Sequence, residues 1–157
     1  MTPPVRRPAL GLLGADRRAQ RAAGPAESCC PCGSGRSLVA CCQPYLDGEP
    51  AATAEALVRS RYTAFARGDE DHLFRTWHPR TRPAGPYGDP ATTWTGLTIE
   101  ETVGGGDDEP DGAEAVVEFT VRYRLTGADG AAGPEQSMRE RSRFLRRAGR
   151  WLYVEAL

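Results

Sequence analysis

Cysteine placement constrains this chain more than anything else in it. Cys30, Cys32, Cys41 and Cys42 form a C-x-C-x8-C-C pattern, and Cys29 stands directly before it. Two close pairs of soft ligands joined by a short loop suit a tetrahedral metal ion about 2.3 Å from each sulfur. A short loop also adds little closure entropy. Gly33, Ser34 and Gly35 let the backbone turn tightly after the first pair. The stretch reads as a zinc knuckle.

Disulfides and redox chemistry are the competing readings. Adjacent Cys41 and Cys42 are poorly placed to bond to each other, given usual Cα separations of roughly 4.4–6.8 Å. Residues 9–13 (Ala-Leu-Gly-Leu-Leu) are too short for the apolar region of a secretory signal, and arginines follow. Clustered cysteines outside an oxidising compartment point to metal or redox chemistry. A thioredoxin-like site is disfavoured because no strand leads into the cluster and a second pair is present. Spacing alone leaves two ligand sets open, Cys30 or Cys29 together with Cys32, Cys41 and Cys42. Either set closes the coordination sphere, so a single zinc would be structural and not a Lewis acid. Arg36 and the amides of Gly33 to Gly35 are candidates to offset the thiolate charge. For Arg36, an ordinary solvated loop position is an equal reading.

At 157 residues the chain is one ordinary domain with appendages. No apolar run approaches the ~20 residues that span a bilayer, so a cytoplasmic protein without a membrane partner is expected. A net charge of −1 argues against whole-protein attraction to nucleic acid. Every basic residue is arginine; with so much Ala, Gly and Pro this reads as genomic base-composition bias, of the kind found in bacteria. Acids crowd residues 100–118, and Arg139, Arg141, Arg143, Arg146, Arg147 and Arg150 crowd 139–150. In one small sheet these runs would pair with each other. A basic patch for RNA is the sharper reading, but it lacks the aromatic interleaving of an RNA platform.

Along the chain, residues 1–28 lack apolar periodicity and are expected to be disordered, or an over-extended start of the reading frame. The knuckle takes 29–48. Residues 53–157 form an α+β unit. Thr53 is set to cap a helix running to Arg67, with Gly68 as its stop. Leu57, Val58, Tyr62, Phe65 and Ala66 mark its buried face. A second helix starts near Asp69, carries Leu73, Phe74 and Trp77 inward and is ended by Pro79. A loop covers 80–90. Strands follow at 94–103, about 115–125, 137–147 and 150–156, with turns at Gly104 to Asp108, a loop at 127–134 and a turn at Ala148-Gly149. Helices followed by an antiparallel meander define α+β.

Such a sheet, curved around one helical face, makes a cone with a cavity. Phe119, Val121 and Tyr123 should face inward. Phe144 should too, and alternation carries Glu140 in with it unless a bulge intervenes. A carboxylate in an apolar cavity is where catalysis would be sought.

Cys30-Pro31-Cys32-Gly33-Ser34-Gly35 with Cys41-Cys42 and Tyr45 resembles the SEC-C motif, the zinc-binding tail also found on the preprotein-translocase ATPase SecA. Arg59-Ser60-Arg61-Tyr62-x-Ala64-Phe65, Thr76-Trp77-His78-Pro79, Val117-Glu118-Phe119, Glu140-Arg141-Ser142-Arg143-Phe144 and Gly149-Arg150-Trp151-x-Tyr153-Val154 resemble the YchJ family. Proteins of that family join a SEC-C knuckle to a nuclear-transport-factor-2-like domain. The resemblance implies Cys30, Cys32, Cys41 and Cys42 as the zinc ligands, with Cys29 a spectator, and a cone-shaped α+β fold. The family is functionally uncharacterised.

Three functional readings follow. The first is a small adaptor whose knuckle docks a protein or ribosome-associated partner, as SEC-C in SecA is associated with chaperone binding; the cone would then offer a small-ligand pocket. Tyr45 is a candidate contact there, though packing on the knuckle is the simpler role. The second is a hydrolase, isomerase or dehydratase acting in the cone, with Tyr62, His78 and Glu140 as the candidates. Against it, a histidine at a helix end more often caps carbonyls, and a buried Glu140 is expected to pair with Arg59 or Arg61. The third, a nucleic-acid binder resting on the arginine strand and leader, ranks last.

Overall fold

The computed structural model describes residues 28–157, and the expectation of a disordered leader falls outside them except at Ser28. The chain is α+β, with helices α1 (Gln43–Leu46), α2 (Ala54–Arg67) and α3 (Glu70–Thr76) followed by strands β1 (Thr92–Val103), β2 (Glu114–Thr126), β3 (Ala132–Arg147) and β4 (Arg150–Ala156). The strands form one antiparallel sheet in the order β1-β2-β3-β4.

Local chemistry sets the helix ends. Thr53 accepts a hydrogen bond from the Ala56 amide at 3.0 Å, and Gly68 closes α2 in the left-handed region at φ 71°. Asp69 caps α3 through the His72 amide at 2.9 Å. The helix stops at Thr76 because Trp77 turns extended and bridges to Tyr153 in β4, where the His78 amide donates to the Tyr153 carbonyl at 2.7 Å. His78 precedes Pro79, which disfavours the helical conformation there.

Leu57, Val58 and Tyr62 of α2 meet Ala115, Val117 and Val121 of β2, Phe144 of β3 and Trp151 of β4 in the main core. Cys30, Cys32 and Cys42 belong to the same core, so the knuckle is packed into the domain and does not hang from it. The β1–β2 connection fastens the far end. Gly105, at φ 88°, takes the Ala54 amide on its carbonyl at 2.9 Å, and the Gly106 carbonyl accepts from the Trp151 indole at 3.2 Å.

Three expectations change. Ala66, expected on the buried face of α2, is exposed in the last turn of that helix. Phe74 points outward, 49% exposed under the guanidinium of Arg82, because α3 has a single buried row built on His72 and Leu73. The loop expected at 127–134 is shorter, since β3 already pairs with β2 at Ala132. The two charge runs do pair on the outer face of the sheet: Arg139 with Glu118, Arg141 with Glu101 and Glu118, and Arg143 with Glu114 and Glu155.

Candidate metal centre and cavity

The first site is the cysteine cluster. The sulfurs of Cys30, Cys32, Cys41 and Cys42 lie within 4.8 Å of one another. Cys32 and Cys41 are 3.5 Å apart, and Cys41 and Cys42 3.9 Å. Four sulfurs around one zinc at about 2.3 Å stand about 3.8 Å from each other, so the donor set and its spacing fit a tetrahedral ion. Cys29 is exposed and outside this group, its backbone taken up by a bridge to Ser37. The thiols share protons unevenly: hydrogen bonds from Cys30 and Cys42 pull Cys32 down, whereas hydrogen bonding with Cys30 pushes Cys42 up and burial pushes Cys41 up.

The cluster is tied to α2. Arg59 donates to the Cys32 carbonyl at 3.1 Å while pairing with Glu55 at 2.9 Å, and the Cys30 sulfur lies 3.7 Å from the Thr63 hydroxyl. Ser34 meets the Cys41 sulfur at 3.2 Å. Arg36 donates to the Ala40 carbonyl and so braces the loop without touching a sulfur. Tyr45 packs against the core, and its carbonyl and that of Leu46 receive Arg75 from α3.

Arg75 also donates to His72 Nδ1 at 3.1 Å, which leaves Nε2–H of His72 to donate to Ser60 at 2.9 Å; Ser60 in turn donates to the Leu57 carbonyl. This buried relay needs a neutral imidazole. Burial first, then Arg75 and Arg61, lower the His72 pKa to about 4.

The second site is a cavity of ≈ 180 Å³ between α2 and the sheet. Val58, Arg61, Tyr62 and Phe65 reach it from one side of α2. The sheet side includes Phe119, Glu140 and Phe144, and Trp77 and Tyr153 close one end. The rings touch in sequence: Tyr62 and Phe65 on Trp94 at 5.9 and 5.6 Å, and Trp77 on Tyr153 at 4.9 Å. Met138, 43% exposed, marks a rim.

The pairing of β2 with β3 runs without a bulge from Ala115↔Phe144 to Phe119↔Glu140, so Glu140 shares the inward face with Phe144. Its Oε1 accepts from Ser142 at 2.6 Å and from the Tyr153 hydroxyl at 3.3 Å. Burial, then the Glu140 charge, push the Tyr153 phenol up to about 12, so it remains a donor at neutral pH. Burial likewise raises Tyr62.

Neither expected arginine pairs with Glu140. Arg59 is committed to Glu55 and Cys32. Arg61 is buried, donates from Nη1 to the Leu73 carbonyl at 3.1 Å and to Thr76 at 2.8 Å, and lies over the rings of Trp77 and Tyr153 at 5.0 and 4.7 Å. Burial lowers its pKa to about 10, which keeps it cationic at neutral pH. Its place in the cavity was legible as an arginine within the apolar stripe Val58-Tyr62-Phe65, at helical spacing.

Of the candidates Tyr62, His78 and Glu140, the first and last line the cavity; His78 does not. It is buried beside the β4 edge, where Nδ1 accepts from the Arg80 amide at 3.2 Å and burial, followed by Arg147, lowers its pKa. The structure therefore does not bring His78 and Glu140 together as an acid–base pair.

No helix among the described residues is long and apolar enough to cross a membrane. Residues 53–156 match the profile of the YchJ middle NTF2-like domain. A UPF0225 protein of Chromobacterium violaceum is 45% identical over 137 residues, spanning 84% of this chain and 94% of the relative. Another from Deinococcus radiodurans is 48% identical over 128 residues, spanning 81% and 87%. The solution structure of a SEC-C motif containing protein from Rhodopseudomonas palustris superposes with a TM-score of 0.65 at 34% identity, covering 82% of this chain and 96% of that one. A crystal structure of a SEC-C motif containing protein from Psychrobacter arcticus gives 0.58 at 25% identity, with 80% of each chain covered. The chain belongs to the YchJ family of UPF0225 proteins, a cysteine knuckle set on an NTF2-like cone.

Proposed function

We propose that this protein is a small-ligand binding protein whose cone is held in shape by one structural zinc ion on Cys30, Cys32, Cys41 and Cys42. The observation that carries this reading is the cavity, an aromatic-walled space of ≈ 180 Å³ whose lining includes Arg61 and Glu140. Concave apolar sites with a few convergent polar groups are what small-molecule sites look like. The zinc would add no chemistry, because four thiolates leave no open position. Its contribution is mechanical, since Arg59 and Thr63 connect the knuckle to the helix that carries Val58, Arg61, Tyr62 and Phe65.

Native mass spectrometry with and without chelator tests the metal, and one zinc per chain is expected. Toluene, as a bare aromatic probe, tests the cavity. Binding to the folded state raises the melting temperature, and Trp77 and Trp94 in the wall should report it by fluorescence. A metal-free purified protein with intermolecular disulfides overturns the first part. A melting temperature and fluorescence indifferent both to toluene and to its polar and charged single-ring analogues overturn the second.

A second reading, a cytoplasmic adaptor docking a protein or ribosome-associated partner, draws support from the outer side of the knuckle. Val39 is 48% exposed there, and Arg36, Arg59, Cys41 and Tyr45 line a shallow depression. Partners retained unchanged by a zinc-free Cys41→Ser, Cys42→Ser variant would remove it.

A further inference from the structure

The cavity's size and its two charges together restrict what can fill it. A volume of ≈ 180 Å³ compares with the roughly 150 Å³ of an engineered apolar cavity that takes up benzene, so one ring with a small substituent is the size that fits. The rings of Tyr62, Phe65, Trp77, Trp94 and Tyr153 wall the space and favour a planar aromatic guest through offset and edge contacts.

The charged side chains among the lining residues are Arg61 and Glu140. Arg61 uses Nη1 for Leu73 and Thr76, and its Nε and Nη2 have no hydrogen-bond partner among the described residues. Glu140 takes the hydroxyls of Ser142 and Tyr153 on Oε1, and its Oε2 has none. The two do not form an ion pair with each other, although Glu140 is among the charges that Arg61 feels. The free donors of Arg61 and the free acceptor of Glu140 belong to residues that line the cavity, so a ligand there can meet them.

Net charge on that ligand would work against it. A carboxylate would satisfy Arg61 but face Glu140, and an ammonium would satisfy Glu140 but face Arg61, in surroundings that screen neither repulsion well. A neutral head with one carbonyl acceptor and one N–H donor suits both groups. We infer that the cavity binds a small neutral aromatic amide, whose carbonyl oxygen accepts from Arg61 and whose N–H donates to Oε2 of Glu140. The assignment rests on the cone being a ligand site and specifies what that ligand carries.

Four single-ring probes decide it: benzamide, benzoate, benzylammonium and toluene, titrated into the zinc-loaded full chain and followed by the indole NMR signals of Trp77 and Trp94. Benzamide should bind about tenfold tighter than toluene and tighter than either charged probe, in proportion to two added hydrogen bonds. In Glu140→Gln, the disadvantage of benzoate should shrink, because the opposing charge is gone. The ranking in the unaltered protein decides the matter even if that variant does not fold. Benzoate or benzylammonium ahead of benzamide, or toluene equal to it, overturns the amide assignment while leaving the cavity a binding site. If none of the four binds, the assignment and the ligand-binding reading fall together.

Discussion

Arg61 lies over the ring of Tyr153, its guanidinium carbon 4.7 Å from the ring centroid. The hydroxyl of the same tyrosine donates to Glu140. One aromatic side chain thus stands between the two charges of the cavity, stacking on the cation and hydrogen-bonding the anion.

Replacing Arg61 with Met keeps much of its volume but leaves the Leu73 carbonyl and the Thr76 hydroxyl without their buried donor. Losing hydrogen bonds from a charged group should lower stability by about 1.5–3 kcal/mol in urea denaturation. Tyr153→Phe keeps the stacking surface and should cost only about 1 kcal/mol. Equal losses for the two variants would mean that the guanidinium contributes little beyond its packing.

If the cysteine cluster holds the proposed zinc, removing it should loosen the knuckle and α2 before the sheet. Cys30, Cys32 and Cys42 are core residues facing α2, whereas β2 is paired along its length on both sides. Chelation, or Cys32→Ser, should abolish metal binding, lower the melting temperature and speed amide exchange in α2. Exchange in β2 should stay slow. Uniform exchange across helix and strand would contradict this order of events.

His72 makes stability depend on pH. Its pKa is about 4 in the folded protein against 6.5 for a free histidine, so below 6.5 the unfolded chain binds the extra proton. The stabilisation is complete above pH 6.5 and is lost as pH falls through about 4, on the order of 3 kcal/mol in all. Urea midpoints across that window should fall with acid in the unaltered protein. His72→Gln should flatten the slope, and an unchanged slope would assign the acid sensitivity elsewhere.

A methyl group added at Gly105 would meet the Ala54 side chain at 2.6 Å and the Ala115 side chain at 3.1 Å, at φ 88°. Gly112 has similar backbone, φ 92°, with nothing within 4 Å of the added atom. Gly112→Ala should therefore cost only backbone strain, about 1–2 kcal/mol. Gly105→Ala should add an overpacking term of about 1–3 kcal/mol, and similar losses at both positions would show that the hairpin moves away from α2 freely.

Much of this architecture is written locally. Thr53, Gly68 and Asp69 mark their helix ends by hydrogen-bonding logic that needs no tertiary contact. Period-two alternation placed Phe119, Glu140 and Phe144 on one face, since an unbulged strand cannot do otherwise. Spacing left Cys29 and Cys30 equivalent; the fold separates them, because the bridge from Cys29 to Ser37 directs one side chain outward and its neighbour into the core. Phe74 could not be placed from the pattern, because a helix of two turns buries one narrow row and Leu73 fills it.

What the sequence by itself determined, then, is helices α2 and α3, the four strands and their order, for these follow from contacts a few residues apart. Which partners Arg61 takes was decided only by the tertiary structure. Arg61 had Glu140 as a plausible partner in sequence, but the end of α3 brings the Leu73 carbonyl and Thr76 to its Nη1, and the rings of Trp77 and Tyr153 to its face. A guanidinium held that way is already satisfied on one side, so it stays apart from the carboxylate. The cavity exists because those distant segments converge, and no local rule encodes that convergence.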